Sequence, residues 1–451
     1  MKLDYSNTAI GRKDLTFFGG GVPVLRQIED KFHIPELTEK YLGKRVAQAK
    51  YTNYECYRSF ILSLIFNEDG GRIVKVGKTK EEHRNFKELN IVSHDTIGRF
   101  MKKFATPDKI HIRKNKKKMK EKPKAYVVNE NEQMQLFMIE TAIAAGLLTP
   151  GLACTLDIDA TFIKNKGKES KWTYKSFKGY TAMVATIGNI VVYTSLRSGN
   201  SSPQFLQLEA LVQCIELLRR YGIVVARVRI DGAGYTNKVL DYLDDEGIKF
   251  IVNAASSPRT YNMIMESGKW RKKPFKTSSE NWKDAQFCSI PFNLKNSKRM
   301  YRLVTVRTKY KMLKKDDEEI NIDERQFKYK YTITNDTQIT DHKLIKEYHL
   351  RGCSENIFKN LKQYFGWGVI PFSKLNENHV YLVMTVTCYN LYQALLKVFS
   401  KASRAIGHNI ELKTFRVIFS SIRCKITKKG KFEFSNFKVE LEAIFHVIRP
   451  G

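Results

Sequence analysis

Hydrophobic and polar positions alternate from Ala153 to Phe162, with Cys154, Leu156 and Ile158 on one face and Thr155, Asp157, Asp159 and Thr161 on the other. A period of two predicts a half-buried strand. Gly179–Ile187 and Ile190–Leu196 flank Gly188-Asn189, a dipeptide placed as a hairpin turn. Pro203–Tyr221 then shows helical spacing through Leu206, Leu208, Leu211, Val212, Ile215 and Leu218. Ile223–Ile230 is an apolar, β-branched run ending at Asp231, which suits a buried parallel strand. A helix over Asn237–Asp245 and a strand over Ile248–Asn253 complete the order β-β-β-α-β-α-β. That order predicts an α/β fold built on a mixed sheet.

The flanks read differently. Val24–Tyr41 and Tyr54–Phe66 have apolar residues at helical spacing, and Asn67–Gly71 breaks the pattern. Ser93 is placed as the N-cap of a short helix that would present Thr96, Arg99, Lys102 and Lys103, as a groove-reading helix does. A block of like charge follows at Arg113, Lys114, Lys116, Lys117 and Lys118, which reads as a flexible linker that contacts phosphate. Glu130–Ala145 is again helical. Residues 254–340 interrupt the alternation and carry strand-like Arg302–Tyr310 and Phe327–Thr334, so a β-rich insertion is expected there. Helices are expected around Glu355, over Asn378–Phe399 and over Leu412–Arg423. The resulting division is a helical, basic region at 1–130, a core from 131–253 and 341–400, the insertion, and a C-terminal region at 401–451.

Charge narrows the partner. Lys and Arg number 78 against 46 Asp and Glu, a formal charge of +32, while 42% hydrophobic residues suffice for globular cores. A surplus of this size points to a polyanion, bound largely by counterion release. An anionic membrane fits less well. The start of the chain lacks the basic-then-apolar order of a signal peptide, and Val380–Phe399 is interrupted by Thr385, Thr387, Asn390, Gln393 and Lys397. The seven cysteines form no C-x-x-C pair and lie mostly in apolar runs, as buried thiols of a reducing cytosol do.

The chemistry gathers at Tyr348-x2-Arg351-x3-Glu355-x6-Lys362. On one helix those offsets fall within about 60°, so an acid, two cations and a phenol would share a stripe. Asp159 and Asp231 would join Glu355 from two adjoining strands. Three carboxylates from separate elements suit two divalent cations flanking a phosphodiester, one activating the attacking hydroxyl and the other stabilising the leaving oxygen. Periodicity places Asp157 on the same face as Asp159 and leaves either as the first acid.

The spacing of Tyr348, Arg351, Glu355 and Lys362 resembles the signature of bacterial insertion-sequence transposases of the DDE type. Leu156–Thr161, Leu196–Asn200, Arg229–Tyr235 and Tyr389–Leu391 are similar to that family as well. The resemblance implies an RNase H-like mixed sheet with a β-rich insertion before the catalytic Glu, a helical N-terminal DNA-binding domain and a helical C-terminal region. It implies Asp159, Asp231 and Glu355 as catalytic and metal-binding acids, with Asp159 chosen over Asp157 because it precedes a small residue and Thr. Two Mg2+ or Mn2+ ions per site are implied. Arg351 and Lys362 would grip phosphates, and Tyr348 would contact the same backbone. In relatives that form a DNA hairpin a Trp of the insertion stacks on a flipped base, which directs attention to Trp270 and Trp282. The implied activity is cut-and-paste transposition on terminal inverted repeats and target DNA, by a homodimer in a synaptic complex, in a bacterial cytoplasm at the nucleoid. A structure-selective nuclease and a transposon-derived DNA-binding protein are the alternatives.

Overall fold

The structure is a computed structural model that describes residues 3–4, 15–18, 28–66, 92–113, 124–267, 269–276, 281–282, 284–309, 327–402, 410–420, 423–426 and 431–435. After strands β1 (Leu3–Asp4) and β2 (Leu15–Phe18) come helices α1 (Ile34–Leu42), α2 (Asn53–Phe66) and α3 (His94–Lys102). The apolar run expected as one helix to Tyr41 is broken at His33, which takes a left-handed φ of 53° just before Pro35 in the first turn of α1. The hairpin β3 (Lys109–Arg113) and β4 (Lys124–Asn129) follows, and then α4 (Glu132–Ala144), whose first turn is capped by the Asn131 side chain.

The core comprises β5 (Ala153–Lys164), β6 (Lys171–Trp172), β7 (Lys178–Ile187), β8 (Ile190–Ser198), α5 (Gln207–Arg220), β9 (Val224–Ile230), α6 (Asn237–Asp245) and β10 (Lys249–Asn253). Its strands lie in the order β8-β7-β5-β9-β10, with β5, β9 and β10 parallel and β7 and β8 antiparallel beside β5. This is the RNase H-like order expected from the sequence, with the two-residue β6 added. Gly188 turns β7 into β8 at φ 57°, a left-handed position that a two-residue hairpin loop demands.

The insertion holds α7 (Pro258–Ser267), β11 (Arg271–Lys272), β12 (Phe275–Lys276), β13 (Asn281–Trp282), β14 (Gln286–Phe292), β15 (Tyr301–Lys309) and β16 (Phe327–Thr334). It continues the core sheet: β16 pairs antiparallel with β10, and β15, β14 and β11 follow outward. At the other edge β4 pairs with β8, so the sheet reaches twelve strands. Arg113 and Lys124 face each other at the open end of the β3–β4 hairpin. The basic run thus joins two paired strands; Lys114, Lys116, Lys117 and Lys118 lie outside the described residues.

The chain ends with α8 (Asp341–His349), α9 (Cys353–Tyr364), α10 (Leu375–Ala402), α11 (Leu412–Ser420), β17 (Arg423–Ile426) and β18 (Lys431–Ser435). β17 and β18 form a small sheet with β1 and β2. On one face of the large sheet, α1 to α4 and α10 share a single apolar cluster that includes Phe60, Ile97, Phe100, Met138 and Met384. On the other face, Leu156, Ile158, Val228 and Ile230 pack under α5 and α6. α3 leaves Arg99, Lys102 and Lys103 exposed. The five cysteines whose side chains are described are free thiols.

Of the polar residues that interrupt α10, Thr385, Thr387 and Asn390 have hydrogen-bond partners within the core. Asn390 donates to the Val191 carbonyl (2.7 Å) and accepts from the Val191 N–H (3.0 Å), beside a register shift between β7 and β8. Thr385 accepts from the Trp367 indole at 2.7 Å. Among the described residues no helix is long and apolar enough to cross a membrane. Asn390→Leu should lower unfolding free energy by about 1–3 kcal/mol for each backbone group left bare. Urea denaturation monitored by fluorescence checks this; an unchanged midpoint would show that α10 needs no polar anchor.

Candidate active site

The site grows from the parallel pairing of β5 with β9. Leu156 lies against Val228, Asp157 against Arg229 and Ile158 against Ile230. With the even positions of β5 committed to the core beneath α5 and α6, its odd positions face α8 and α9. The first rung on that face is closed. Asp157 is buried and takes both oxygens to Arg229, at 2.6 Å from Nε and 2.6 Å from Nη2. Arg229 Nη1 then donates to the Glu347 carbonyl of α8 at 2.7 Å.

Two residues further along, Asp159 lies within β5 next to Asp231, which immediately follows the last residue of β9, and β9 offers no cation there. Arg351 supplies it, Nη1 lying 2.7 Å from Asp159 Oδ2. Ser354 donates to the same oxygen at 3.2 Å, while the Ala160 N–H donates to Oδ1 at 2.8 Å. Asp231 Oδ1 accepts from the Ala233 N–H at 3.0 Å, capping the 3₁₀ turn Gly232–Gly234. At the next odd position, Lys362 donates to Thr161 Oγ1 at 2.6 Å. Asp157, Asp159 and Thr161 are therefore met in turn by Arg229, Arg351 and Lys362.

The electrostatics separate the rungs. Burial pushes the Asp231 carboxyl above its ordinary range, and the Asp159 charge pushes it further; the Ala233 N–H and Arg351 pull it back. Burial opposes the Arg351 charge, yet Tyr348, Asp159 and Asp231 around it hold that guanidinium above its ordinary value. Burial also raises the Tyr348 phenol, with Arg351 opposing. Lys362 is lowered by burial and by Lys175. One guanidinium among two half-buried carboxylates leaves the second rung in negative excess, whereas the first is neutral. That excess and the hard oxygen donors fit a divalent cation.

The expected helical stripe is divided. α8 stops at His349, Leu350–Gly352 forms a 3₁₀ turn, and α9 begins at Cys353. Gly352, a poor helix former, stands at the break. Tyr348 therefore belongs to α8, Arg351 to the turn, and Glu355 and Lys362 to α9. Arg351 and Lys362 reach β5, and the Arg351 guanidinium carbon lies 5.7 Å from the centre of the Tyr348 ring. Glu355 is exposed in the first turn of α9, next to buried Ser354. Among the described residues no three His, Cys, Asp or Glu side chains stand close enough to hold a metal ion, so Glu355 is not gathered with Asp159 and Asp231.

Two clefts open at the site. One, about 270 Å³, is lined by Lys330, Tyr348 and Arg351. The other, about 390 Å³, is lined by Thr161, Lys164, Tyr174, Lys175, Asp231 and Lys362. Arg229, Ser354 and Thr161 are site residues that the motif spacing did not single out. Arg229 was legible as the residue facing Asp157 once the strands were paired. Trp270 is half-buried, with the Arg307 guanidinium 4.0 Å from its ring centre and Tyr329 edge-on, a packing role. The Trp282 side chain lies outside the described residues.

Arg229→Met should destabilise the fold by about 3–5 kcal/mol, because it leaves the Asp157 charge buried and unpaired. Asp157→Leu combined with Arg229→Met should restore most of that loss in denaturant titrations. Asp231 gives the opposite sign. Its folded carboxyl titrates above the unfolded value, so its ionisation disfavours folding and stability falls as pH rises through that window. Asp231→Asn keeps the oxygen that caps Gly232–Gly234 and removes the charge. Its melting temperature in EDTA at neutral pH should exceed that of wild type, and Mn2+ should raise it less than it raises wild type. A lower melting temperature in EDTA would refute the repulsion.

Sequence comparison places these residues in a known context. The transposase DDE domain, group 1, matches residues 72–442, a span that contains Asp159, Asp231 and Glu355. No curated protein matches the chain. Among solved structures, a piggyBac transposase synaptic complex with hairpin DNA, determined by cryo-electron microscopy, is similar at 10% identity with a TM-score of 0.45. That similarity covers 88% of this chain and 79% of the other. With the family match extending over most of its length, the chain belongs to the DDE-domain transposases.

Proposed function

We propose that this transposase moves an insertion sequence by cut-and-paste transposition, with Asp159, Asp231 and Glu355 as its catalytic acids. The observation that carries the reading is the second rung of the β5–β9 pair. It is a pair of neighbouring carboxylates in negative excess, Asp159 on β5 and Asp231 just past the end of β9, flanked by cationic clefts and served by the Arg351 turn. The commitment of both Asp157 oxygens to Arg229 supports Asp159 as the first acid. Asp159 and Asp231 would hold Mg2+ or Mn2+, and Glu355 would complete the set. Bound there, two such ions supply a nucleophilic hydroxide from water and neutralise the leaving oxygen.

The remaining roles belong to side chains. Arg351 balances Asp159 and also lines the smaller cleft, where its fork of donors suits a phosphate. Lys362, held against Thr161 and lowered by burial, places a point charge on the wall of the larger cleft. Tyr348 packs against Arg351 and limits its directions. Water attacks the phosphate at the element's end and frees a 3′-hydroxyl, which then attacks target DNA or the opposite strand by the same in-line displacement. The exposed face of α3 and the basic run after Arg113 would contribute to binding the terminal inverted repeats, with two copies of the chain holding paired ends.

Labelled duplexes spanning the element's boundary, incubated with Mg2+ or Mn2+, test this. Wild type should nick at the boundary and then join the end to target DNA. Glu355→Gln should bind the same duplex equally well while both products fall to background. Cleavage without joining would point to a structure-selective nuclease, and binding without metal-dependent chemistry in either protein to a transposon-derived DNA-binding protein. Full activity in Glu355→Gln would remove the exposed acid from the catalytic set.

A further inference from the structure

The connection between β5 and β7 has a composition that the catalytic roles leave unused. It reads Lys164-Asn-Lys-Gly-Lys-Glu-Ser-Lys-Trp-Thr-Tyr-Lys-Ser-Phe-Lys178, and its six lysines, Lys164, Lys166, Lys168, Lys171, Lys175 and Lys178, are all exposed. Two large aromatics are exposed among them, Trp172 at 62% and Tyr174 at 66%. Exposed rings on a surface loop are costly to keep unless something covers them.

The connection is also held in place. β6 pairs with β7, Lys171 against Gly179 and Trp172 against Lys178. Thr173, buried between the two exposed rings, bonds the Phe177 carbonyl twice, through its N–H at 2.8 Å and its hydroxyl at 2.9 Å. Buried Ser170 donates to the Gly167 carbonyl at 2.7 Å, and the Asn165 N–H donates to the Lys178 carbonyl at 3.1 Å. Glu169 accepts from the Leu375 N–H of α10 at 2.6 Å. A Cβ at Gly199 would overlap the carbonyl oxygens of Lys171 and Gly179, so β6 rests directly on that backbone. Tyr174 itself meets Phe162 edge-on at 4.9 Å. Its ring, with Lys164, Lys175 and Phe177, forms one wall of the larger cleft, which also contains Asp231 and Lys362.

We infer that this connection is a preformed platform for an unpaired segment of DNA beside the scissile phosphate, with Trp172 and Tyr174 stacking on bases and Lys164 and Lys175 holding the backbone. The inference rests on the transposase reading for its partner and adds the state of the strand that the site takes. Aromatic rings interleaved with lysines bind unpaired strands because every base offers a π-face, while paired bases in a duplex do not. Holding the rings in place beforehand spares the entropy of ordering them on binding.

The test uses the full chain in EDTA, so that no cleavage intervenes, and two probes. One is a blunt duplex; the other is the same duplex with a five-nucleotide single-stranded end containing 2-aminopurine. Wild type should bind the overhang probe more tightly than the blunt one, and its 2-aminopurine fluorescence should be quenched on binding. Trp172→Ala and Tyr174→Ala should each weaken overhang binding by roughly tenfold and reduce the quench, leaving blunt binding and melting temperature unchanged. Lys164→Gln and Lys175→Gln should weaken both probes and each reduce the salt slope by about one. Equal losses on both probes, or no overhang preference in wild type, would overturn the inference. So would a change of oligomeric state in Trp172→Ala without a change in DNA binding. Nicking by the same wild-type protein in Mg2+ separates the two failures: nicking with no overhang preference defeats only the platform, whereas neither nicking nor specific binding defeats both.

Discussion

The pairing of β5 with β9 is the constraint on which the site depends. Two parallel strands in register must bring side chains of like parity together on one face. Here that geometry pairs Asp157 with Arg229 and carries on to Asp159 and to Asp231, the residue that follows β9. Slipping the pairing by one residue would move Leu156, Ile158, Val228 and Ile230 out of the core, so the hydrophobic face fixes the position of the acids. The placement of these carboxylates is thus enforced by packing on the opposite side of the sheet.

The same sheet explains the breadth of the molecule. β10 does not end as an exposed edge, because the insertion adds β16, β15, β14 and β11 to it. β8 is likewise covered by β4 and β3. Edges of a sheet invite unwanted pairing, and this chain extends both with basic strands, among them Lys109, Arg113, Lys124, Lys328 and Lys330. Positive charge placed along both flanks of the acid pair gives a long polyanion a surface on which to lie.

Much of this was legible in the sequence because the signals were local. Period-two alternation located β5, the apolar run located β9, and Thr236 with Asn237 opens a helix where the expected one begins. The division of the stripe at Gly352 was not legible, since Tyr348, Arg351, Glu355 and Lys362 satisfy a continuous helix equally well. What breaks it is tertiary: Arg351 in a 3₁₀ turn reaches Asp159, a partner 192 residues away. Periodicity could not separate Asp157 from Asp159 either, as both lie on one face. The choice rests on Arg229, a residue of another strand. The basic run after Arg113 read as a linker because charge pattern carries no information about strand pairing, and β3 and β4 were missed with it.

The two rungs also differ in how far their charges are matched. Asp157 and Arg229 are matched in charge and in hydrogen bonds, and nothing further is gained by adding a cation. Asp159 and Asp231 share Arg351, so their charge is only partly balanced; burial raises the Asp231 carboxyl, and the Asp159 charge adds to it. A half-buried site in negative excess, bordered by lysine-lined clefts, discriminates by sign on a short length scale. On the proposed reading it would draw small cations to the carboxylates and the phosphate backbone to the walls. Arg351 stands at the boundary between the two, bonded to the acid and lining the cleft. The 3₁₀ turn that broke the expected helix is what puts it there.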